Sequence, residues 1–404
     1  MELPPIPSLQ VIQAVTGTFW HFDLARELES RGYLKRIYSS FPWARLRREG
    51  VPRERVRTFP WIHGPWMLAH RYAKVPQRLS TEVALANIRL FDAWVAGRLE
   101  DCDVFVAISG SGLKAGRLAQ SRGAKYVCDR GSSHIRYQKM IVEEEYARWG
   151  FAGSRVDARA IEREEAEYAQ ADAIAVPSEF ARRSFVEMGV EAEKVRKIPY
   201  GVRLDRFSNT GDKPSGSFDV LFAGTVSVRK GVPYLLEAFA KLKHPLKRLR
   251  LAGPVEPEMR SLLGRFDLSG VELLGRLSPD DMARWMNASH VMVLPSVEDG
   301  FGLVMAQAMA CGAVVVASEN TGGPDLFTDG VEGFVVPIRS PEAICERLTR
   351  LANDPDLRER MSEAALMRVQ RLGGWNGYGT SCSRFLAELI TRPPLDDSNT
   401  AFSK

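Results

Sequence analysis

The chain has 404 residues, of which 45% are apolar and 26% charged, with a formal net charge of +5. That balance suits a globular protein with room for two cores, and no apolar run approaches the roughly eighteen residues that a membrane helix needs. The N-terminal MELPPIPSLQ lacks a basic stretch ahead of an apolar one, which argues against a secretory signal. Cys102, Cys128, Cys311, Cys345 and Cys382 show no CxxC or metal-like spacing and read as reduced thiols, so the expected location is cytoplasmic.

In chain order, LQVIQAV reads as a strand and HFDLARELESRG as a helix with Phe22, Leu24, Ala25 and Leu28 inward. The turn between them places Gly17 after the strand and His21 on the first helical turn. From Arg31 to Arg57 nine Lys or Arg stand against two acids, interleaved with Tyr33, Tyr38, Phe41 and Trp43; Trp61, His63, Trp66, His70, Arg71 and Lys74 follow. Such a mixture suits an anionic membrane surface, at roughly 1 kcal/mol per cation. A solvated basic face over core aromatics is the competing reading, and nucleic acid, the third, is not the expected partner.

DVFVAIS, AKYVC and AIAVP are further strands, and KYVCDRGSSHI carries Asp129 and Arg130 into a loop ending at His134. Glu143, Glu144 and Glu145 read as a solvated helix face. Gly110, Gly112 and Gly116, with Asp129 beyond them, imitate a dinucleotide fingerprint. They lie well inside the domain rather than on its first strand, so NAD(P) is not expected. In the C-terminal half FDVLFAG, KRLRLAG, VELLG, HVMVLP, AVVVAS and GFVVP alternate with helical segments. Such alternation predicts parallel α/β sheets in two Rossmann-like domains. The boundary is placed near IPYGVRLDRF, ahead of the polar loop Ser208–Ser217. The expected domains are 1–203 and 204–374, with a C-terminal helix and frayed tail over 375–404.

Two strand–Gly–helix turns carry the chemistry. FAGTVSVRKG ends a strand at Gly224 and sets Arg229 and Lys230 before a helix, where fixed cations and unpaired N–H groups favour a diphosphate. VLPSVEDGFGLVMAQAMACG sets Glu298 and Asp299 before the turn Gly300, Phe301, Gly302 and Leu303, with Gln307 on the helix that follows; these groups suit sugar and ribose hydroxyls. TGGPDLF forms a second glycine turn with Asp325, and in GRLSPDDM Ser278 is a helix cap with Arg276 and Leu277 just before it.

Together these segments resemble the donor-site signature of retaining GT-B glycosyltransferases of the family-4-like group, most strongly over 172–337. The resemblance implies two Rossmann-like domains facing across a cleft, with the C-terminal helix returning to the N-terminal domain. It implies a nucleotide-diphosphate sugar as co-substrate, no other cofactor and no metal, since Arg229 and Lys230 take the place of a cation on the diphosphate. Asp299 holds the first position of the family's Glu-x7-Glu, toward the donor sugar, with Glu298 beside it. Gln307 holds the second, toward the ribose; both depart from the family's residue. Gly224 and the turn from Gly300 to Leu303 belong to the same donor site, and Arg276 and Leu277 lie near the base. His134 is implied as an active-site group facing the donor sugar, with Gly17, His21, Asp129 and Arg130 on the acceptor side. The implied reaction moves a hexose, with retention, to a glycan or lipid-linked glycan acceptor in polysaccharide or glycoconjugate synthesis. The protein would then be peripheral on the inner face of the membrane. A hydrolase or epimerase using His134 or Asp129 as base, and a catalytically silent sugar-nucleotide binder, are the alternatives.

Overall fold

A computed structural model describes residues 9–62, 65, 77–153 and 156–391. Among them thirteen strands form two sheets. The first holds β1 Val11–Val15, β2 Leu34–Ser39, β3 Val56–Thr58, β4 Val104–Ile108, β5 Lys125–Asp129, β6 Ala173–Val176 and β7 Val195–Lys197, in the order β3-β2-β1-β4-β5-β6-β7. The second holds β8 Phe218–Ala223, β9 Lys247–Ala252, β10 Val271–Gly275, β11 Val291–Leu294, β12 Val314–Ser318 and β13 Gly333–Val336, in the order β10-β9-β8-β11-β12-β13. Every strand expected from the sequence is present. Three more, β2, β3 and β7, lie in charged stretches that hide a strand pattern. β2 reads LKRIYS, yet Leu34, Ile37 and Tyr38 are buried, and Arg36 reaches Glu100 at 2.6 Å.

Contacts gather the chain into two compact units: Met1–Cys128 with Gln170–Asp172 and Gly379–Lys404, and Asp129–Ala169 with Ala173–Tyr378. The sheets change between β7 and β8, whereas the units divide earlier, within β5. In the first unit β1 pairs in parallel with β2 and β4, and helix His21–Ser30 buries Phe22, Leu24, Ala25 and Leu28. Helix Gly374–Thr391 joins this unit from Gly379 on: Arg31 Nη2 donates to Thr380 Oγ1 at 3.1 Å, and a Cβ on Gly379 would come within 2.5 Å of the Glu27 Cβ. The C-terminal helix therefore returns to the N-terminal helix. Gly112 and Gly116 are explained by close packing, since a Cβ on either would stand 2.5–2.6 Å from the Tyr126 side chain. All five cysteines are free thiols, and no helix among the described residues is long and apolar enough to cross a membrane. Of the basic segment, His63, Trp66, His70, Arg71 and Lys74 lie outside the described residues, as does the tail beyond 391.

In the second unit β8 pairs in parallel with β9 and β11, and β11 with β12. β8, β11 and β12 are buried along their whole length, as strands covered on both faces must be. The segment Ser208–Ser217 is a loop but not a loose linker: Asn287 donates to Ser208 O (3.0 Å) and accepts from Thr210 N (2.8 Å). Nor are the three glutamates of helix Ile135–Arg148 all solvated. Glu145 is fully buried, accepting from Tyr234 OH at 2.6 Å and Trp149 Nε1 at 3.0 Å and pairing with Arg339.

Gly231 precedes helix Val232–Lys241 at φ 68°, and a Cβ there would fall 1.9 Å from Pro295 O. Left-handed backbone and contact with main chain both demand glycine. Gly231→Ala is expected to cost at least about 2 kcal/mol, read as a fall in the urea midpoint; an unchanged midpoint would mean the two turns are not in contact.

Candidate functional site

The site is built where β8 and β11 end. β8 runs into Gly224, and the following loop carries Arg229 and Lys230 to the helix that Gly231 opens. β11 runs into the loop carrying Glu298 and Asp299. Val297 N donates to Arg229 O at 2.9 Å, and this main-chain bond sets the loops side by side. Two adjacent cations consequently meet two adjacent carboxylates: Arg229 Nη1 lies 2.9 Å from Glu298 Oε2, and Lys230 Nζ bonds Asp299 Oδ2.

Glu298 is fully buried, and a carboxylate there is tolerable only with its lone pairs filled. Ser132 Oγ and Ser133 Oγ donate to Oε1 at 2.6 and 2.8 Å, while Gln138 Nε2 donates to Oε2 at 3.0 Å beside Arg229. The amide oxygen of Gln138 accepts from Arg130 Nη2 at 2.9 Å, and Arg130 Nη1 pairs with Glu164 at 2.7 Å. Burial works against the charge on Glu298, but Arg229 and the hydrogen bonds from Ser132, Gln138 and Ser133 outweigh it and hold the pKa down to about 2. Burial likewise opposes the Arg229 charge, which Glu298 and Asp299 more than restore. The result is a pair of cations held side by side next to a helix N-terminus, an arrangement that suits a diphosphate.

Comparison with known proteins decides the family. Residues 205–368 match the family model for glycosyl transferases group 1, and residues 22–201 that for a glycosyl transferase 4-like domain. The chain belongs to this glycosyltransferase family. Among curated relatives, D-inositol 3-phosphate glycosyltransferase of Streptomyces bingchenggensis is 31% identical over 225 residues, 50% of this chain and 49% of the relative. Alpha-D-kanosaminyltransferase of Streptomyces kanamyceticus is 34% identical over 152 residues, 36% of this chain and 39% of the relative. The chain thus matches about half the length of the first of these, and less of the second. Among solved structures, sucrose-phosphate synthase from Thermosynechococcus elongatus superposes with a TM-score of 0.73 at 21% identity, covering 94% of this chain and 99% of that one. Anabaena HepE in complex with UDP-glucose superposes with a TM-score of 0.66 at 16% identity, covering 94% and 99%. At these identities the superpositions establish the GT-B fold.

Within this glycosyltransferase fold the other expected residues fall into distinct places. Gln307 is half-buried on helix Val304–Ala310, which Leu303 caps. Gly300 admits no side chain, since a Cβ would stand 2.0 Å from Gly131 O, and Gly302 turns the chain at φ 75°. Phe301 is buried with its ring 5.3 Å from that of Tyr200. Arg276 is exposed and Leu277 half-buried after β10, and Ser278 caps the next helix, accepting from Asp281 N at 3.1 Å. Asp325 accepts from Glu179 N at 2.8 Å and Lys197 Nζ at 2.7 Å.

His134 and the residues assigned to the acceptor side have structural partners of their own. His134 is 3% exposed, its Nδ1 accepts from Arg136 N at 3.2 Å as a helix cap, and its ring lies 5.0 Å from those of Tyr168 and Phe185. Burial lowers its pKa to about 4. Arg130 is committed to Glu164, Gln138 and Ser133 O, and Asp129 is buried at the end of β5. In the first unit His21 is fully buried, with its pKa lowered to about 3 by burial, and Gly17 accepts from Ser39 Oγ at 2.6 Å. The neutral residues that reach the Glu298 carboxylate, Ser132, Ser133 and Gln138, escaped the sequence reading. Their signal was the pair of small hydroxyls in GSS, the kind of neutral donor a buried acid requires.

Glu298 has a folded-state pKa below its ordinary value of 4.5, so its ionised form stabilises the fold above pH 4.5. That stabilisation is lost as pH falls toward 2, and the difference is worth about 3 kcal/mol. Glu298→Gln is expected to lower the urea midpoint at neutral pH and to flatten its decline in acid. A variant as stable as the parent at pH 7, with the same acid limb, would remove Glu298 from this role.

Proposed function

We propose that the chain is a retaining glycosyltransferase that moves a hexose from a nucleotide-diphosphate sugar to a glycan or lipid-linked glycan acceptor. The observation that carries this reading is the matched pair, Arg229 with Glu298 and Lys230 with Asp299, at the ends of adjacent parallel strands. Ligands of such sheets bind beyond the carboxyl ends of the strands. As the bond from the anomeric carbon to the diphosphate breaks, negative charge grows on the leaving oxygen, and two prepositioned cations stabilise it more than the ground state. The acceptor hydroxyl forms the new bond on the same face, its proton passing to the departing phosphate. Lys230 exchanges Asp299 for phosphate, releasing that carboxylate to the sugar hydroxyls, while the Gln307 amide meets the ribose. Arg229 and Lys230 supply the charge a metal would bring, so no metal and no further cofactor enters this reading. The domain boundaries at 203/204 and 374/375, His134 as an active-site group facing the donor sugar, and Gly17, His21, Asp129 and Arg130 on the acceptor side belong to the same proposal. UDP-hexoses are the first donors to try, because Anabaena HepE was solved with UDP-glucose.

Arg229→Ala or Lys230→Ala should each lower turnover about a hundredfold, and the double variant should lose less than the product of the singles because both serve one anion. Release of nucleotide diphosphate, followed with and without acceptor and in excess EDTA, is the assay. A single variant at the parent rate would dismiss the site. Release without any acceptor would favour a hydrolase. Binding without release under any acceptor would favour the silent binder that the neutral Gln307 suggests.

The reading extends to where the acceptor lives. Arg31, Arg36 and Arg55 are spent on Glu27, Glu100 and Glu29, but Arg45, Arg47, Arg48, Arg53 and Arg57 are exposed and Trp61 is 74% exposed. Such a surface supports peripheral attachment to an anionic leaflet on the cytoplasmic side. Co-sedimentation with anionic vesicles should occur at low salt and fade toward about 1 M, where the Debye length is about 3 Å. Changing Arg45, Arg47 and Arg48 to Ser should weaken it. Absence of binding at low salt would leave a soluble acceptor.

A further inference from the structure

The second unit contains a cavity of about 380 Å³ lined by Lys213, His290, Arg358, Ser362, Glu359 and Glu363, among others. Its position sets it apart from the Arg229–Glu298 cluster. Lys213 precedes β8, His290 immediately precedes β11, and Gly312, also in the lining, precedes β12. The cavity therefore opens at the amino ends of the strands whose carboxyl ends carry the cluster.

Its two cations are only partly balanced by the protein's own carboxylates. Lys213 Nζ donates to Ser289 O at 2.9 Å and Arg358 Nη1 to Leu351 O at 2.6 Å, and neither forms an ion pair with a carboxylate among the described residues. Both are half-buried. Burial, with the Arg358 charge nearby, depresses the Lys213 ammonium to about 8, and burial also lowers the Arg358 pKa. His290 stays neutral, at about 4, because burial and then the Arg358 charge oppose its protonation; its Nδ1 accepts from Asp219 N at 3.1 Å. Asp219 is itself committed to Arg248 and Arg250. Asp354 partly offsets the Arg358 charge, yet burial outweighs it, and Lys213 has no close carboxylate among the described residues, a cost that a bound anion would relieve. Glu359 and Glu363, in contrast, are exposed. They are acceptors suited to hydroxyl groups, set outside the deeper cations.

We propose that this cavity binds the phosphate monoester of a sugar, with the phosphate on Lys213 and Arg358 and the sugar hydroxyls on Glu359 and Glu363. The site is separate from the proposed nucleotide-sugar site, and its test does not depend on that reading. The shared chemistry, a phosphate, could also come as the free ion, and the experiment separates the two.

Titration calorimetry of the full chain uses glucose 6-phosphate, inorganic phosphate and glucose as probes, each with and without saturating UDP. Glucose 6-phosphate should bind saturably and equally well in the presence of UDP. Inorganic phosphate should bind about tenfold more weakly, and glucose not at all. Lys213→Gln and Glu363→Gln should each weaken glucose 6-phosphate binding, the former by about tenfold or more, and leave affinity for UDP unchanged. No saturable binding up to about 10 mM, displacement by UDP, or full affinity in Lys213→Gln would overturn the proposal. Equal affinity for inorganic phosphate would overturn its sugar half. Should the lysine variant fail to fold, acetylation of Lys213 in the unaltered chain, read by peptide mass, gives a second answer. Glucose 6-phosphate should slow it severalfold, and an unchanged rate would overturn the assignment.

Discussion

A single ionised carboxylate, fully enclosed, organises the second unit. Glu298 is closed off from bulk solvent, so the surrounding chain supplies donors, and the network joins three separate stretches. The Ser132–Ser133 turn and Gln138 come from the start of the unit, Arg229 from the loop after β8, and Glu298 itself from the loop after β11. Removing any one donor leaves the others around an under-compensated charge. The direction of Arg229 is therefore not a matter of its own rotamer preference. It is fixed by a network whose far end is Glu164, itself accepting from Tyr168 OH at 2.6 Å. Positioning of this kind lets a long, flexible cation act as a preorganised group.

The neighbouring pair behaves differently, and the contrast is informative. Asp299 and Lys230 carry only a small exposed fraction, 17% and 12% of their side chains, yet they bind each other without the ring of neutral donors that encloses Glu298. One pair is thus held by a ring of neutral donors and the other by its own charges alone. Two carboxylates adjacent in sequence have quite different surroundings.

Much of this was legible in the sequence because backbone constraints leave strong traces. Gly224, Gly231, Gly300 and Gly302 mark places where main chain approaches main chain or turns left-handed, and those marks located the two turns and their charges. Apolar runs located every strand except β2, β3 and β7, where charged neighbours mask the pattern. What escaped was whatever depends on partners distant in sequence. Nothing local distinguishes Glu145, buried under Tyr234 and Arg339, from Glu143 and Glu144 beside it. Nothing local shows that the His134 ring turns into an aromatic cage while Ser132 and Ser133 face the acid. The glycines that imitate a dinucleotide loop were a case of a real constraint with another cause, since what they accommodate is Tyr126.

The separation between Ser132 and Glu298 also bears on how the chain is made. Their hydrogen bond spans 166 residues, and a ribosome adding about 5–20 residues per second needs on the order of ten seconds or more to cover that distance. During that interval the turn and Gln138 have emerged without the acid they serve, and their polar groups remain content in water. The acid, in contrast, arrives to find its donors already made. The order of synthesis thus favours the carboxylate, the group for which premature burial would be most costly, and leaves the wait to neutral side chains that lose little by it.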